Sequence, residues 1–234
     1  MQTTLQDLKF AVRSLLRAPG FAAVTILTLA LGIGANTAVF TIVNAVVLRP
    51  LPYPDADRLV MLWQDLRAGG GPPDEWASPG NFVDWGTALP ALDRVAAIGG
   101  WRPTLSGEAE PEALTGEQVS HEYLSVLGRA PVVGRDFAPG DDVPNAPRVA
   151  LVGDGLWKRR FGGDPSIVGR VVALAGEPHE IIGVLPAGFR PIVASGAEIW
   201  RPLRLNRAAP ARGAVVLRTV ARLAPATSVA QAQE

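Results

Sequence analysis

The chain has 234 residues, 22 basic and 22 acidic side chains, a formal net charge of zero, 48% hydrophobic residues and a mean hydropathy of +0.19. Neutrality without a basic stretch argues against a nucleic-acid partner. The absence of cysteine removes disulfide frameworks, cysteine-ligated zinc and thiol nucleophiles.

Charge is unevenly distributed. Lys9, Arg13 and Arg17 against Asp7 leave residues 1–48 at +2, so residues 49–234 carry −2. In the first segment, residues 1–20, Leu5, Leu8, Val12, Leu15 and Leu16 recur at helical spacing while Gln6, Lys9 and Arg13 take the other side. Ahead of an apolar run this pattern predicts a cytoplasmic amphipathic helix lying on the inner leaflet. Pro19 and Gly20 separate it from that run.

No charged residue occurs between Arg17 and Arg49, and residues 21–48 predict a transmembrane helix. At about 1.5 Å per residue it would reach about 42 Å, beyond the roughly 30 Å hydrocarbon core, so it can span with tilt. A secretory leader has an apolar region of about 7–15 residues, roughly half this length, so the run is read as a retained anchor. The basic flank lies before the span, which places the N-terminus in the cytoplasm and residues 49–234 outside a bacterial inner membrane. Within the span, Ala30, Gly34, Ala38, Thr41 and Ala45 share one face, a small-xxx-small pattern that admits another helix backbone. Asn36 sits on the opposite face beside Gly32, and an amide in hydrocarbon also seeks a partner.

Beyond the span, the prolines of residues 49–54 make a stiff extended exit. Strands are predicted at 58–63, 92–98, 101–105, 149–152, 171–174, 179–184, 199–203 and 215–223. Residues 81–85 read as a helical turn that places Phe82 and Trp85 on one face. Asp154 is placed as the cap of a helix over 155–161 stopped by Gly162 and Gly163, and Asp164-Pro165 opens a further turn. The segment 175–178 joins two strands in a hairpin. Ser228 and Gln231 resemble a capping box, and the chain stops three residues later, as a fragment would. Strands mixed with short helices, without long helical crossovers, predict an α+β domain over 49–234.

The chemistry-bearing residues form no catalytic constellation. His121 and His179 lack metal-ligand spacing, and His179 is expected at an exposed strand end. Asp141 and Asp142 are expected as solvated turn carboxylates, and Glu108, Glu110 and Glu112 as facing water. Ser78 is a turn residue outside any nucleophile elbow, and there is no Gly-x-x-x-x-Gly-Lys loop for nucleotide phosphates. The tryptophans are expected in the core or at an interface rather than around a ligand. No catalytic, cofactor-binding or metal-binding residue is assigned, and no cofactor.

Several runs together resemble a known family, the permeases of the macrolide-exporter (MacB) and FtsX type, including duplicated permeases of acidobacteria. They are Asp7-Leu8, Phe10-Ala11-Val12-Arg13, Pro19-Gly20-Phe21, residues 27–40, residues 43–46 and residues 48–54. Further matches are Asn81-Phe82-Val83-Asp84-Trp85, residues 156–165, Val168-Gly169-Arg170, Ile182-Gly183-Val184-Leu185-Pro186 and Gly188-Phe189. The resemblance implies a non-catalytic permease part, with ATP hydrolysis in a separate ABC ATPase subunit. It also implies a periplasmic core domain that passes ATPase-driven motion to a periplasmic adaptor or substrate in export or efflux. Leu5, Leu8, Lys9, Val12 and Arg13 would then face the ATPase. The small-residue face would pack against a second permease half or later helices absent from this sequence. The alternative is a single-pass anchored binding or sensor domain that works without an ATPase.

Overall fold

The computed structural model describes residues 13, 17–43, 51–107 and 110–232. The chain divides into two compact units, Met1–Leu51 and Pro52–Glu234.

In the first unit, helix α1 runs Pro19–Val43, 25 residues or about 37 Å. Arg17 is helical, Ala18 is not, and the helix resumes at Pro19. The break therefore falls one residue ahead of the expected Pro19-Gly20 pair. Proline disfavours a helical residue before it but is tolerated in a first turn, where its missing N–H is not needed. The stretch Pro19–Thr41 contains a window of mean hydropathy 1.8 with none of it buried. Two of its polar interruptions are internally satisfied: the Thr28 and Thr41 hydroxyls donate to the Val24 and Thr37 carbonyls at 2.8 and 2.7 Å. Such back-bonding lets threonine sit in an apolar medium without an unpaired group.

The second unit is an α+β domain built on one mixed sheet. Its strands are β1 (Leu59–Leu62), β2 (Leu92–Trp101), β3 (Thr104–Ser106), β4 (Glu112–Ala113), β5 (Gly116–Val119) and β6 (Val133–Gly134). The remainder are β7 (Val149–Gly153), β8 (Val171–Leu174), β9 (Glu177–Leu185), β10 (Ile199–Pro202) and β11 (Arg218–Leu223). Helices α2 (Pro79–Ala88), α3 (Tyr123–Leu127), α4 (Asp154–Phe161) and α5 (Val229–Ala232) complete it. The strand order is β1-β11-β2-β5-β10-β7-β9-β8-β3-β4, with β6 also on β9. Only β5–β10 and β7–β9 pair in parallel among the described strands. Close approach fixes Gly116 in β5, because a Cβ there would meet Ile199 at 2.9 Å.

Both faces of the sheet are covered, and period-2 alternation sorts the residues between them. On one face Ala96, Ile98, Val119, Leu151, Ile182, Trp200 and Val220 pack with α3 and with Phe189. On the other, Val95, Ala97 and Ala221 pack against Phe82 of α2, while Ala150, Val152, Ile181 and Ile199 pack against Leu156 of α4. The local signals are met closely in several places. Ser78, expected only as a turn residue, goes further and caps α2 by accepting the Asn81 N–H at 3.1 Å. The β8–β9 hairpin turns on Ala175 and Gly176 with φ of 53° and 78°, the left-handed pair of a two-residue turn. Gly162 ends α4 with φ 66°. Asp154 differs from expectation: it is the first residue of α4 and pairs with Lys158 at 2.9 Å, while Gly153 takes the capping position.

Candidate functional surfaces

On α1, Ala30, Gly34, Ala38 and Thr41 fall on one side, all exposed, and a Cβ at Gly32 or Gly34 would meet nothing within 4 Å. Asn36 is exposed on the opposite side near Gly32. Arg13 is helical and exposed; Leu5, Leu8, Lys9, Val12 and Ala45 lie outside the described residues. The helix thus carries a strip of small exposed residues, bordered by large apolar side chains such as Leu31 and Phe40.

In the core domain, a dense set of polar contacts surrounds residues 52–58. Tyr53 is 7% exposed despite its place in a proline-rich exit. Its hydroxyl donates to the Arg190 carbonyl, and Arg129 donates to the Pro52 carbonyl while lying 5.8 Å from the Tyr53 ring centroid. Arg222 of β11 reaches the same segment: Nη2 donates to the Pro54 carbonyl at 3.0 Å, Nη1 to Asp55 at 3.3 Å and Nε to Val126 at 2.8 Å. Arg58 closes the loop by donating to the Leu223 carbonyl at 2.6 and 3.1 Å. Residues 52–58 are therefore clamped to strand β11 by guanidinium–carbonyl bonds, which are charge-assisted and stronger than neutral ones.

Beside the clamp, Glu117 of β5 is fully buried. Its carboxylate accepts from Trp200 Nε1 at 2.8 Å, the Tyr123 hydroxyl at 3.2 Å and the Ala194 N–H at 2.7 Å. Burial pushes the Glu117 carboxyl up, and the hydrogen bonds pull it back. Burial and then the Glu117 carboxylate hold the Tyr53 hydroxyl up to about 12. Phe189 sits between rings of Trp200, Tyr53 and Tyr123 at 5.3, 6.4 and 6.5 Å, all edge-on. The segment after β9 is thereby tied to both the entry segment and the central strands.

A second network joins His121, Glu122, Asp142 and Arg207. The three potential ligand atoms of His121, Glu122 and Asp142 lie within 4.8 Å of one another, as a cation site requires. Arg207 occupies that position already: Nη2 lies 3.0 Å from Glu122, 3.2 Å from Asp142 and 3.3 Å from His121 Nδ1. Asp142 also accepts the Arg204 N–H at 2.6 Å. We read this cluster as an internal ion-pair network. Asp141 and Asp142 are buried, not solvated as the loop composition suggested: Arg204 and Arg207 from a distant segment meet Asp142, and Asp141 pairs with Arg135, six residues before it, at 2.6 Å. Of the expected water-facing glutamates, Glu112 is half-buried and pairs with Arg159 at 2.6 Å and Arg160 at 3.3 Å, and Glu108 lies outside the described residues.

A cleft of about 700 Å³ opens over β5, β9 and β10, lined by Gln118, Arg148, Glu177, His179, Arg201 and Arg204 among others. His179 is only 1% exposed, against the expectation of an exposed strand end. Alternation along β9 turns it inward with Ile181, where its ring meets Trp101 at 5.7 Å. Burial first, then Arg201 and Arg148, push the His179 imidazole down, opposed by Glu177. Arg201 stacks over Trp101 at 4.3 Å. Trp200 is buried, whereas Trp63 and Trp76 remain 46% and 36% exposed.

The sequence draws attention to none of Arg129, Arg222, Glu117, Arg201 or Arg204. Arg222, lodged in the apolar run 215–223, is the one such signal available. Glu117 offers none.

A family model of the MacB-like periplasmic core domain matches residues 22–234. The chain belongs to that family, as the resemblance read from its motifs implied. The fold is shared with solved structures of low sequence identity. One is the extracellular domain of the noncanonic ABC-type transporter YknZ from Gram-positive bacteria (20% identity, TM-score 0.53, 74% of this chain and 86% of that one). Another is a domain assigned to a permease protein of Porphyromonas gingivalis (17% identity, TM-score 0.55, 75% and 79%). A third is the periplasmic region of MacB from Actinobacillus actinomycetemcomitans (14% identity, TM-score 0.54, 75% and 78%). No curated protein matches the chain in sequence.

Proposed function

We propose that the chain is part of the permease of an ABC-type, mechanically coupled export or efflux system. In this reading α1 spans a bacterial inner membrane with the N-terminus in the cytoplasm. The core domain lies outside, and hydrolysis of ATP belongs to a separate subunit near residues 1–20. The observation that carries the reading is the clamp on residues 52–58. Displacement of a membrane helix reaches an extracytoplasmic domain only if the connecting chain is stiff and firmly held. Here prolines stiffen the connection, and Tyr53, Arg129, Arg222 and Arg58 tie it to the sheet.

The test is a flexible Gly/Ser insertion of about six residues between Leu51 and Pro52, made in the membrane-embedded permease co-expressed with its partner ABC ATPase. ATP-dependent movement of a fluorophore pair on the core domain should disappear, while ATP hydrolysis and the melting temperature of the domain stay unchanged. Persistence of that movement would refute mechanical coupling through this segment.

The small-residue strip on α1 supports a packing role against a second permease half or further helices. Gly34→Leu or Ala38→Leu should cut disulfide-free crosslinking between permease helices by about tenfold, a loss of about 1.4 kcal/mol. Unchanged crosslinking would remove the strip as an interface. An anchored binding domain working without an ATPase is the second reading, favoured by the cleft; it predicts no ATP-dependent movement even without the insertion.

A further inference from the structure

The cleft over β5, β9 and β10 has more cationic donors than acceptors to meet them. Arg148, Arg201 and Arg204 line it with Glu177 as the acidic group among its lining residues. Glu177 is already shared: one carboxylate oxygen lies 2.7 Å from Arg148 and the other 4.0 Å from Arg201. Arg201 spends a further N–H on the Gln118 side-chain oxygen at 3.1 Å. Arg204 has no carboxylate for its side chain among the described residues. Its Nη2 donates to the Ala146 carbonyl, and its Nε is buried with no hydrogen-bond partner. A buried, unpaired N–H on a cation is costly, and the group that relieves it is an anionic acceptor. The volume, about 700 Å³, falls in the range of small-molecule sites.

We propose that this cleft binds an oxyanion, a carboxylate or phosphate group carried by a small ligand, with Arg204 as its principal donor and Arg148 and Arg201 as flanking cations. Guanidinium groups suit this role because their planar forks match two-oxygen acceptors. His179, at the cleft wall, reports occupancy. Burial first, then the Arg201 and Arg148 charges, hold its imidazole down while Glu177 opposes them, so a negative charge placed against those arginines acts to raise its pKa.

The experiment uses the full chain in detergent micelles with chloride as background salt. The His179 imidazole is titrated by NMR with inorganic phosphate, with succinate, and with phosphatidylglycerol-containing micelles as separate arms. An upward shift of the His179 pKa with phosphate or succinate supports the proposal, and the stronger arm identifies the oxyanion class. A shift with the lipid alone would reassign the site to a headgroup of the bilayer, still an oxyanion site. Arg204→Gln and the more exposed Arg148→Gln should each weaken the response by about tenfold, whereas Arg212→Gln, which breaks an ion pair with Asp84 away from the cleft, should leave it intact. Absence of any shift in all arms, or a response unchanged in both cleft variants, would overturn the proposal.

Discussion

The entry clamp and the cleft are built from the same kinds of side chain, arginine and glutamate, and reach opposite electrostatic outcomes. At the clamp, each nitrogen of the Arg222 guanidinium has a backbone carbonyl, and the nearby Glu117 carboxylate has donors from Trp200, Tyr123 and Ala194. In the cleft, Arg148 and Arg201 divide one carboxylate and Arg204 keeps a buried N–H without a partner. A buried polar group matched within the chain rigidifies the fold, while an unmatched one spends stability and leaves binding capacity. Arg222 is buried, Arg201 and Arg204 are half-buried and Arg148 is exposed, but exposure alone does not distinguish a structural arginine from a ligand-seeking one. The balance of donors and acceptors does.

Removing the acceptor side of the matched region should give the largest effect. Glu117→Ala leaves the Trp200 and Ala194 N–H groups and the Tyr123 hydroxyl without their acceptor. We expect a loss of about 3 kcal/mol in urea unfolding followed by tryptophan fluorescence. Glu117→Gln keeps one acceptor oxygen and should cost about 1 kcal/mol. If both variants lose the same amount, the hydrogen bonds contribute little and the carboxylate is there for another reason. If neither loses stability, the description of this region as a matched network is wrong.

Legibility in the sequence divides along the same line. Helix α1 is readable because hydropathy alone decides it, and its surroundings are uniform. Strands β1, β7, β8, β9 and β10 are readable to within two residues because short, largely apolar runs mark them. The β8–β9 turn and the Asp164 and Ser228 caps are readable because their chemistry is local: Ser166 N–H donates to Asp164 at 2.9 Å, and Gln231 N–H to Ser228 at 3.3 Å. Strand β5 escapes because Gly116-Glu117-Gln118-Val119 has no apolar alternation, and its central glutamate is buried by partners 77 and 83 residues away in sequence. Helix α3 escapes because five residues hold little more than one turn. The buried Asp142 and His179 look like surface groups in the sequence for a related reason. Arg204 and Arg207, which meet Asp142, lie 62 and 65 residues further on, and Trp101, which covers His179, arrives from another strand. Non-local pairing of charge leaves no periodic trace.

Asp136 is the carboxylate counterpart of Arg204, and its effect should be the smaller one. It is partly buried and accepts the Phe137 N–H at 2.7 Å, but no arginine or lysine side chain hydrogen-bonds to it among the described residues. Burial raises its carboxyl to about 6, against which the Phe137 bond and the His121 and Arg135 charges work only in part. With the folded pKa above the unfolded one, the native state holds the proton longer. Stability is therefore greatest below about 4 for this group and is lost as pH rises through about 6. Asp136→Asn keeps an oxygen for the Phe137 N–H and removes the charge, so it should stabilise the domain by about 1–2 kcal/mol near neutral pH. The gain should shrink as the medium is acidified past about 6, where the wild-type carboxyl is itself neutral. Urea midpoints of the two proteins across that range measure it. A constant gain at all pH values would point to packing rather than charge, and a loss at neutral pH would mean that Asp136 is matched by a partner after all.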